Sequence, residues 1–77
     1  MPKSKIHVQY GDGSTPKGTK VVLSFSGLLG GMTKPAYTDR HGVAIVDHKS
    51  TGKADVLVSG RKRGTIQAPG ETVVFLS

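Results

Sequence analysis

The chain has 77 residues, no cysteine, and eleven lysines and arginines against five acids, which gives a formal net charge of +6. A chain of this length forms one small domain that buries only about 60% of the surface its unfolded form exposes. Without cysteine it has neither a disulfide nor a cysteine-ligated zinc site, and no stretch resembles a signal peptide or a membrane span. We expect a single domain over residues 1–77, with residues 1–4 as a flexible N-terminus, in a soluble cytoplasmic protein without a cofactor.

Short β-type runs separated by turn residues repeat along the chain. Eleven glycines and four prolines leave no window long enough for a helix. In the first run Ile6, Val8 and Tyr10 fall on one face and polar residues on the other, as in a half-buried strand. The pattern predicts an all-β fold of six or seven strands. In chain order the runs are KIHVQY, TKVVLSFS, AYT, VAIVDH, KADVLVS, RGTIQA and ETVVFL.

Two sheets that bury their apolar faces against each other are the natural arrangement for these strands, so we expect a small antiparallel β-sandwich. The run VAIVDH is apolar on both faces, which is typical of a central strand. The predicted core consists of Ile6, Val8, Val21, Leu23, Phe25, Ala44, Val46, Val56, Val58, Val73 and Phe75.

The order of three segments carries a family resemblance. A Gly- and Pro-bearing turn feeds a hydrophobic strand in DGSTPKGTKVVLSF, a Thr-Asp-x-x-Gly turn opens a strand in YTDRHGVAIV, and GKADVLVSG is an alternating strand that ends in glycine. Over residues 5–76 this order is similar to the transthyretin-like sandwich, an immunoglobulin-like architecture, of carboxypeptidase regulatory-like domains.

The resemblance implies a non-catalytic accessory, structural or binding module. One branch of the family, the hydroxyisourate hydrolases, is catalytic and ends in a Tyr-Arg-Gly-Ser segment. This chain ends in VVFLS. His7 lies in the first strand, where that branch also carries a histidine, but one residue cannot supply the site. We therefore expect no enzymatic activity.

The sequence also contains incomplete patterns for a phosphate-binding loop, a metal site and a catalytic triad. Gly13 and Gly18 have the spacing of a phosphate-binding loop, but Thr19-Lys20 stands where Lys-Ser/Thr is needed, and a strand follows instead of a helix. His7, His41 and His48, with Asp39 and Asp47, lack the spacing that makes a metal site convincing. Nor does the spacing of the serines and histidines support a catalytic triad.

The segment GLLGGM places Leu28, Leu29 and Met32 in a glycine-rich loop. One interpretation is that this loop covers an open end of the sandwich and completes the core. The other is that it is an apolar loop that docks a protein partner or a second subunit.

The segment GRKRG, residues 60–64, places Arg61, Lys62 and Arg63 at the predicted tip of a hairpin. The cations of such a tip can bind the phosphates of a nucleic acid. Phe25 and Phe75, two of the four aromatic residues, are expected in the core, which leaves few side chains for base stacking. The remaining lysines lie at predicted strand ends and turns, where charged side chains protect sheet edges from aggregation.

The sequence therefore favours a non-enzymatic module that acts in protein interaction or structure, with a protein partner or a second copy meeting Leu28, Leu29 and Met32 or an exposed sheet edge. The alternative is a basic nucleic-acid-binding protein that contacts phosphates through Arg61, Lys62 and Arg63. Neither a membrane nor a small-molecule substrate is indicated.

Overall fold

Glycine-bearing turns separate seven β-strands in the computed structural model, which describes residues 2–25 and 31–76. The strands form two sheets, which confirms the all-β fold expected from the sequence. The described residues include no helix, and hence none that could cross a membrane. The strands are β1 (Lys3–Tyr10), β2 (Lys20–Phe25), β3 (Ala36–Tyr37), β4 (Val43–Asp47), β5 (Gly52–Val58), β6 (Arg61–Ala68) and β7 (Glu71–Leu76).

Strand direction alternates along the chain, because each strand returns past the one before it. The three-stranded sheet has the order β4-β1-β7 and the four-stranded sheet the order β3-β2-β5-β6. Strands β1 and β7 are both odd-numbered, so they run in the same direction and pair in parallel. The other four pairs are antiparallel. The expectation of a wholly antiparallel sandwich is therefore wrong for β1 and β7.

Because strand direction alternates, each connection lies at one of the two ends of the sandwich. Segments 11–19, 38–42 and 59–60 each follow an odd-numbered strand, and we call the end where they lie the first end. Segments 48–51 and 69–70 follow even-numbered strands and lie at the opposite, second end. Residues far apart in sequence therefore meet at each end.

One hydrophobic core lies between the two sheets. Nine of the eleven residues expected there are buried, from Ile6 in β1 to Val58 in β5. The structure adds Ala54, Ile66, Ala68 and Val74, which alternate inward on β5, β6 and β7.

The face of β7 that packs against the core is the opposite of the one expected. Val73 is 45% exposed and Phe75 61% exposed, so their assignment to the core is wrong. Both alternations of ETVVFL are apolar, and the pairing with β1 decides between them by placing Val74 beside buried Val8. A Cβ on Gly64 of β6 would lie 3.1 Å from Val74 Cγ1, so Val74 packs closely against this glycine.

Two further expectations need correction. Strand β4 is an edge strand and not a central one, and Ile45 on its outer side is exposed. Residues 3 and 4 belong to β1 instead of a flexible N-terminus, and the Ser4 side chain is buried. The Pro2 carbonyl accepts a hydrogen bond from the His48 N–H at 3.0 Å, which ties the beginning of the chain to the end of β4.

Gly42 fills a position that no other residue can occupy without distortion. Its φ is +77°, and a Cβ there would lie 2.3 Å from the Val8 carbonyl oxygen and 2.8 Å from Thr15 Cβ. We expect Gly42→Ala to lower the free energy of unfolding by about 3 kcal/mol or more, because backbone strain and overlap add. The matched control is Gly18→Ala, since Gly18 has φ +71° and a Cβ at that position would meet no atom within 4 Å. Urea unfolding should show a loss of only about 1 kcal/mol for the control; equal losses would contradict the close packing of Gly42.

Candidate interaction surfaces

The basic segment does not form a hairpin tip. The turn between β5 and β6 is made by Ser59 and Gly60, whose φ values of +53° and +83° are typical of the two-residue turns that favour hairpins. Arg61, Lys62 and Arg63 follow the turn and begin β6, which is an edge strand of the four-stranded sheet. The expected placement of these three cations at the tip is wrong, and they lie along a sheet edge.

A β-bulge interrupts β6 at Arg63. Gly64 pairs with Val56 and Lys62 pairs with Leu57, which leaves Arg63 as the extra residue on β6. Bulges at sheet edges break the regular row of backbone donors and acceptors and bend the strand. All three cations are exposed.

An exposed aromatic residue lies on the same sheet. Tyr37 of β3 is 61% exposed and pairs with Lys20 of β2. The Lys20 carbonyl accepts a hydrogen bond from the Ser59 N–H at 2.9 Å, so Lys20 lies level with the hairpin turn. We call the exposed side of the four-stranded sheet at the first end, together with the start of its edge strand, the basic face. Lys20, Tyr37, Leu57 and Lys62 lie on this side, and Arg61 and Arg63 lie at the edge. Arg61 pairs with buried Val58, so it lies on the other side of β6 from Lys62.

Acidic side chains neutralise only part of the basic face. Asp55 of β5 forms an ion pair with Lys62 at 3.4 Å. Within residues 2–25 and 31–76, Lys20, Arg61 and Arg63 have no acid within ion-pair distance. The basic face therefore keeps a net positive charge.

The two acids of the first end are engaged in turns. One Asp12 oxygen accepts hydrogen bonds from the Ser14 hydroxyl and N–H, at 2.7 and 2.9 Å, and one Asp39 oxygen accepts from the N–H groups of His41 and Val43, at 2.8 and 3.1 Å. These bonds favour the ionised carboxylates. The Ser14 hydroxyl bond is the main cause that lowers the pKa of Asp12, and the Val43 N–H bond is the main cause that lowers the pKa of Asp39.

We expect the Asp39 turn to lose its contribution to the unfolding free energy only at acidic pH. Because the pKa of Asp39 in the folded state lies below its ordinary value of 3.8, its contribution is complete above that value and is lost as the pH falls through the folded-state pKa. Asp39→Asn keeps an acceptor oxygen and removes the titration, so we expect the fall in unfolding free energy below about pH 4 to be shallower in the variant. Urea unfolding across this range tests it. An NMR titration that places the Asp39 pKa at or above 3.8 would contradict it.

The outer side of the three-stranded sheet has a different character. Ile45, Val73 and Phe75 are exposed there, and Val43 is half-buried. Lys3 pairs with Asp47 at 3.9 Å, and His7 contacts Glu71. Strand alternation also places Lys5 on this side, so two lysines and two acids cancel. We call the patch formed by Val43, Ile45, Val73 and Phe75 the apolar face.

An open cleft of about 720 Å³ adjoins the apolar face through Ile45. Its walls combine apolar residues, including Phe25, Met32 and Pro35, with charged ones, including Lys34 and Lys49. Met32, expected in a partner-binding loop, is exposed in this wall. The other two residues of that prediction, Leu28 and Leu29, lie outside the described residues.

The three histidines are dispersed. His7 contacts Glu71 on the outer side of the three-stranded sheet, His41 accepts a hydrogen bond from the Arg40 Nε at 3.3 Å at the first end, and His48 is buried. Among the described residues no three His, Asp or Glu side chains come together as a metal site.

A buried polar network centres on His48. Its Nδ1 lies 2.7 Å from the Ser50 carbonyl oxygen, which can only accept, so Nδ1 carries the proton. Nε2 lies 2.7 Å from Ser4 Oγ and accepts from this hydroxyl in the tautomer that carries its one proton on Nδ1, and Ser4 Oγ accepts from the Gly70 N–H at 3.2 Å. The network joins the start of β1 to the connections 48–51 and 69–70 of the second end. Its serine hydroxyl is buried and fully engaged, so a structural role accounts for it.

Removing the Ser4 hydroxyl should expose the dependence of the fold on this network. Ser4→Ala leaves His48 Nε2 and the Gly70 N–H without their partner in the interior, so we expect a loss of about 1–3 kcal/mol in unfolding free energy. Ser14→Ala is the matched control, because Ser14 is exposed and its loss should stay within about 0.5 kcal/mol. Chemical denaturation compares the two; a Ser4→Ala protein as stable as the control would rule out the role.

The phosphate-loop pattern has no phosphate site. In segment 11–19 the Gly13 N–H donates to the Tyr10 carbonyl at 2.9 Å and the Gly18 N–H donates to the Thr38 carbonyl at 2.8 Å. The backbone donors that would cradle a phosphate are therefore engaged, and β2 follows instead of a helix.

Comparison of the chain with protein-family models, with curated proteins and with solved structures finds no significant match. The two faces therefore have to be interpreted from their own chemistry.

Proposed function

We propose that the chain is a non-enzymatic interaction module that associates with a second copy of itself through the apolar face. The observation that carries the proposal is the exposure of Ile45, Val73 and Phe75 on one side of one sheet. Exposed apolar side chains gathered on one side of a small protein mark interaction sites. Here they form two pairs, Val43 with Ile45 and Val73 with Phe75, on either side of the outward residues Lys5, His7 and Gln9 of β1.

The charge of this surface favours a second copy. The chain as a whole carries a net charge of +6, and two such molecules repel each other at most orientations. On the outer side of the three-stranded sheet the charges of Lys3, Lys5, Asp47 and Glu71 sum to zero. Two copies that meet through this side bring apolar groups together without bringing net charge into the contact.

The size of the surface predicts weak association. Three strands about 4.8 Å apart, with about five residues each at about 3.3 Å, give a footprint of about 240 Å². Stable interfaces bury about 800 Å² on each partner. The cleft beside Ile45 can enlarge the contact, and we expect association in the micromolar to millimolar range.

We also propose that the sandwich is of the transthyretin-like, immunoglobulin-like kind. The three segments that carry the resemblance support this: the connection 11–19 feeds β2, the Asp39–Gly42 turn opens β4, and β5 ends at the Ser59-Gly60 turn. A binding role without catalysis agrees with what that resemblance implies.

Sedimentation velocity across a range of concentrations tests self-association. The average mass of the native chain should rise with concentration, and Phe75→Ser should hold the mass at that of a monomer, because it removes the largest exposed apolar group. Tyr37→Ser is the matched control: Tyr37 is also 61% exposed but lies on the other sheet. A native chain that stays monomeric, or equal effects of both variants, would overturn the proposal.

A further inference from the structure

We propose that the basic face binds single-stranded nucleic acid, with Tyr37 as a stacking platform and Lys20, Arg61, Lys62 and Arg63 as phosphate contacts. This activity lies on the opposite sheet from the apolar face and does not depend on self-association.

The spacing of the sheet suits an extended strand of nucleic acid. Tyr37, Lys20, Leu57 and Lys62 come from β3, β2, β5 and β6, which are successive neighbours in the sheet. Three inter-strand steps of about 4.8 Å carry the face across about 14 Å. A nucleic-acid chain that crosses the strands can place a base on Tyr37 and its following phosphates over Lys20 and Lys62, and then meet Arg61 and Arg63 at the sheet edge.

The residues of the basic face match the chemistry of single-stranded nucleic acid. Tyr37 is 61% exposed, and an exposed aromatic ring stacks on any base. Lys20, Arg61 and Arg63 have no acidic partner among the described residues, and Arg side chains bind phosphate oxygens in a bidentate manner. Leu57, half-buried between Val22 of β2 and Lys62 of β6, supplies apolar contact for a sugar or base.

The shape of the face favours a single strand over a duplex. Recognition of the major groove needs a helix or a two-stranded ribbon that enters it. The described residues contain no helix, and the basic face is a side of a four-stranded sheet. Unstacked bases, in contrast, can reach a flat sheet with an exposed ring.

Fluorescence anisotropy with a labelled oligothymidine and a labelled oligouridine provides the test. With four phosphate contacts and a slope of about −0.7 per contact, affinity should fall about fiftyfold between about 50 and about 200 mM salt. Tyr37→Ser should weaken binding at least about fivefold at fixed salt, because stacking contributes about 1–3 kcal/mol per base. Phe75→Ser, which removes an equally exposed ring from the other sheet, should leave the affinity unchanged.

Charge-matched variants separate a site from general attraction. Arg61→Ser/Arg63→Ser should weaken binding and reduce the slope of log affinity against log salt by about 1.4. Lys49→Ser/Lys53→Ser removes the same charge near the second end and should have a much smaller effect. Circular dichroism melting of each variant shows that the fold is retained.

The proposal is overturned if neither oligonucleotide binds at low salt, if both double variants weaken binding equally, or if Tyr37→Ser binds as well as the native chain.

Binding to vesicles that contain phosphatidylserine is measured as a further test. Binding of these vesicles through Tyr37 and Arg63, without binding of oligonucleotides, would assign the face to a membrane surface instead. Because Phe75→Ser affects only self-association, failure of either proposal is distinguishable from failure of the other.

Discussion

The parallel pairing of β7 with β1 is the constraint on which the core and the outer side of the three-stranded sheet depend. It completes the three-stranded sheet and places Val74 beside Val8 in the core. By the same register Val73 and Phe75 point away from the core and remain exposed. Had β7 been shifted by one residue, Val73 and Phe75 would face inward in place of Val74. The buried position of Val74 and the exposure of Val73 and Phe75 are thus two results of one register.

The buried network around Ser4 supports that register. The Gly70 N–H donates to Ser4 Oγ and the Gly70 carbonyl accepts from the Lys5 N–H at 2.9 Å, so the residue before β7 is held at both its donor and its acceptor. His48 extends the network to the end of β4. In a chain with no disulfide, these bonds and the apolar core carry the stability of the fold. The most chemically suggestive pair in the molecule, Ser4 and His48, is explained by this support.

The two sheets present surfaces of different chemistry because the charges are distributed unequally between them. On the three-stranded sheet, lysines and acids cancel around apolar side chains. At the first end of the four-stranded sheet, Asp12 and Asp39 are engaged in turns, and Asp55 offsets only Lys62. The excess positive charge of the chain thus falls largely on the side that bears Tyr37 and away from the side that bears Phe75. A protein surface and a nucleic-acid surface can therefore coexist on one small domain without competing.

The sequence alone determined the class of fold, because a period of two between glycine-rich turns permits little else, and it determined nine of the core positions, from Ile6 to Val58. It could not determine which side of ETVVFL is buried or that VAIVDH lies at an edge, since both runs are apolar on both faces and only contacts with β1 and β6 distinguish the alternatives. The three cations were evident from the sequence, but their place on an edge strand depended on a two-residue turn formed by Ser59 and Gly60. The proximity of Tyr37 to Lys20 was decided by tertiary structure, because that surface is assembled from strands that are separate in the chain.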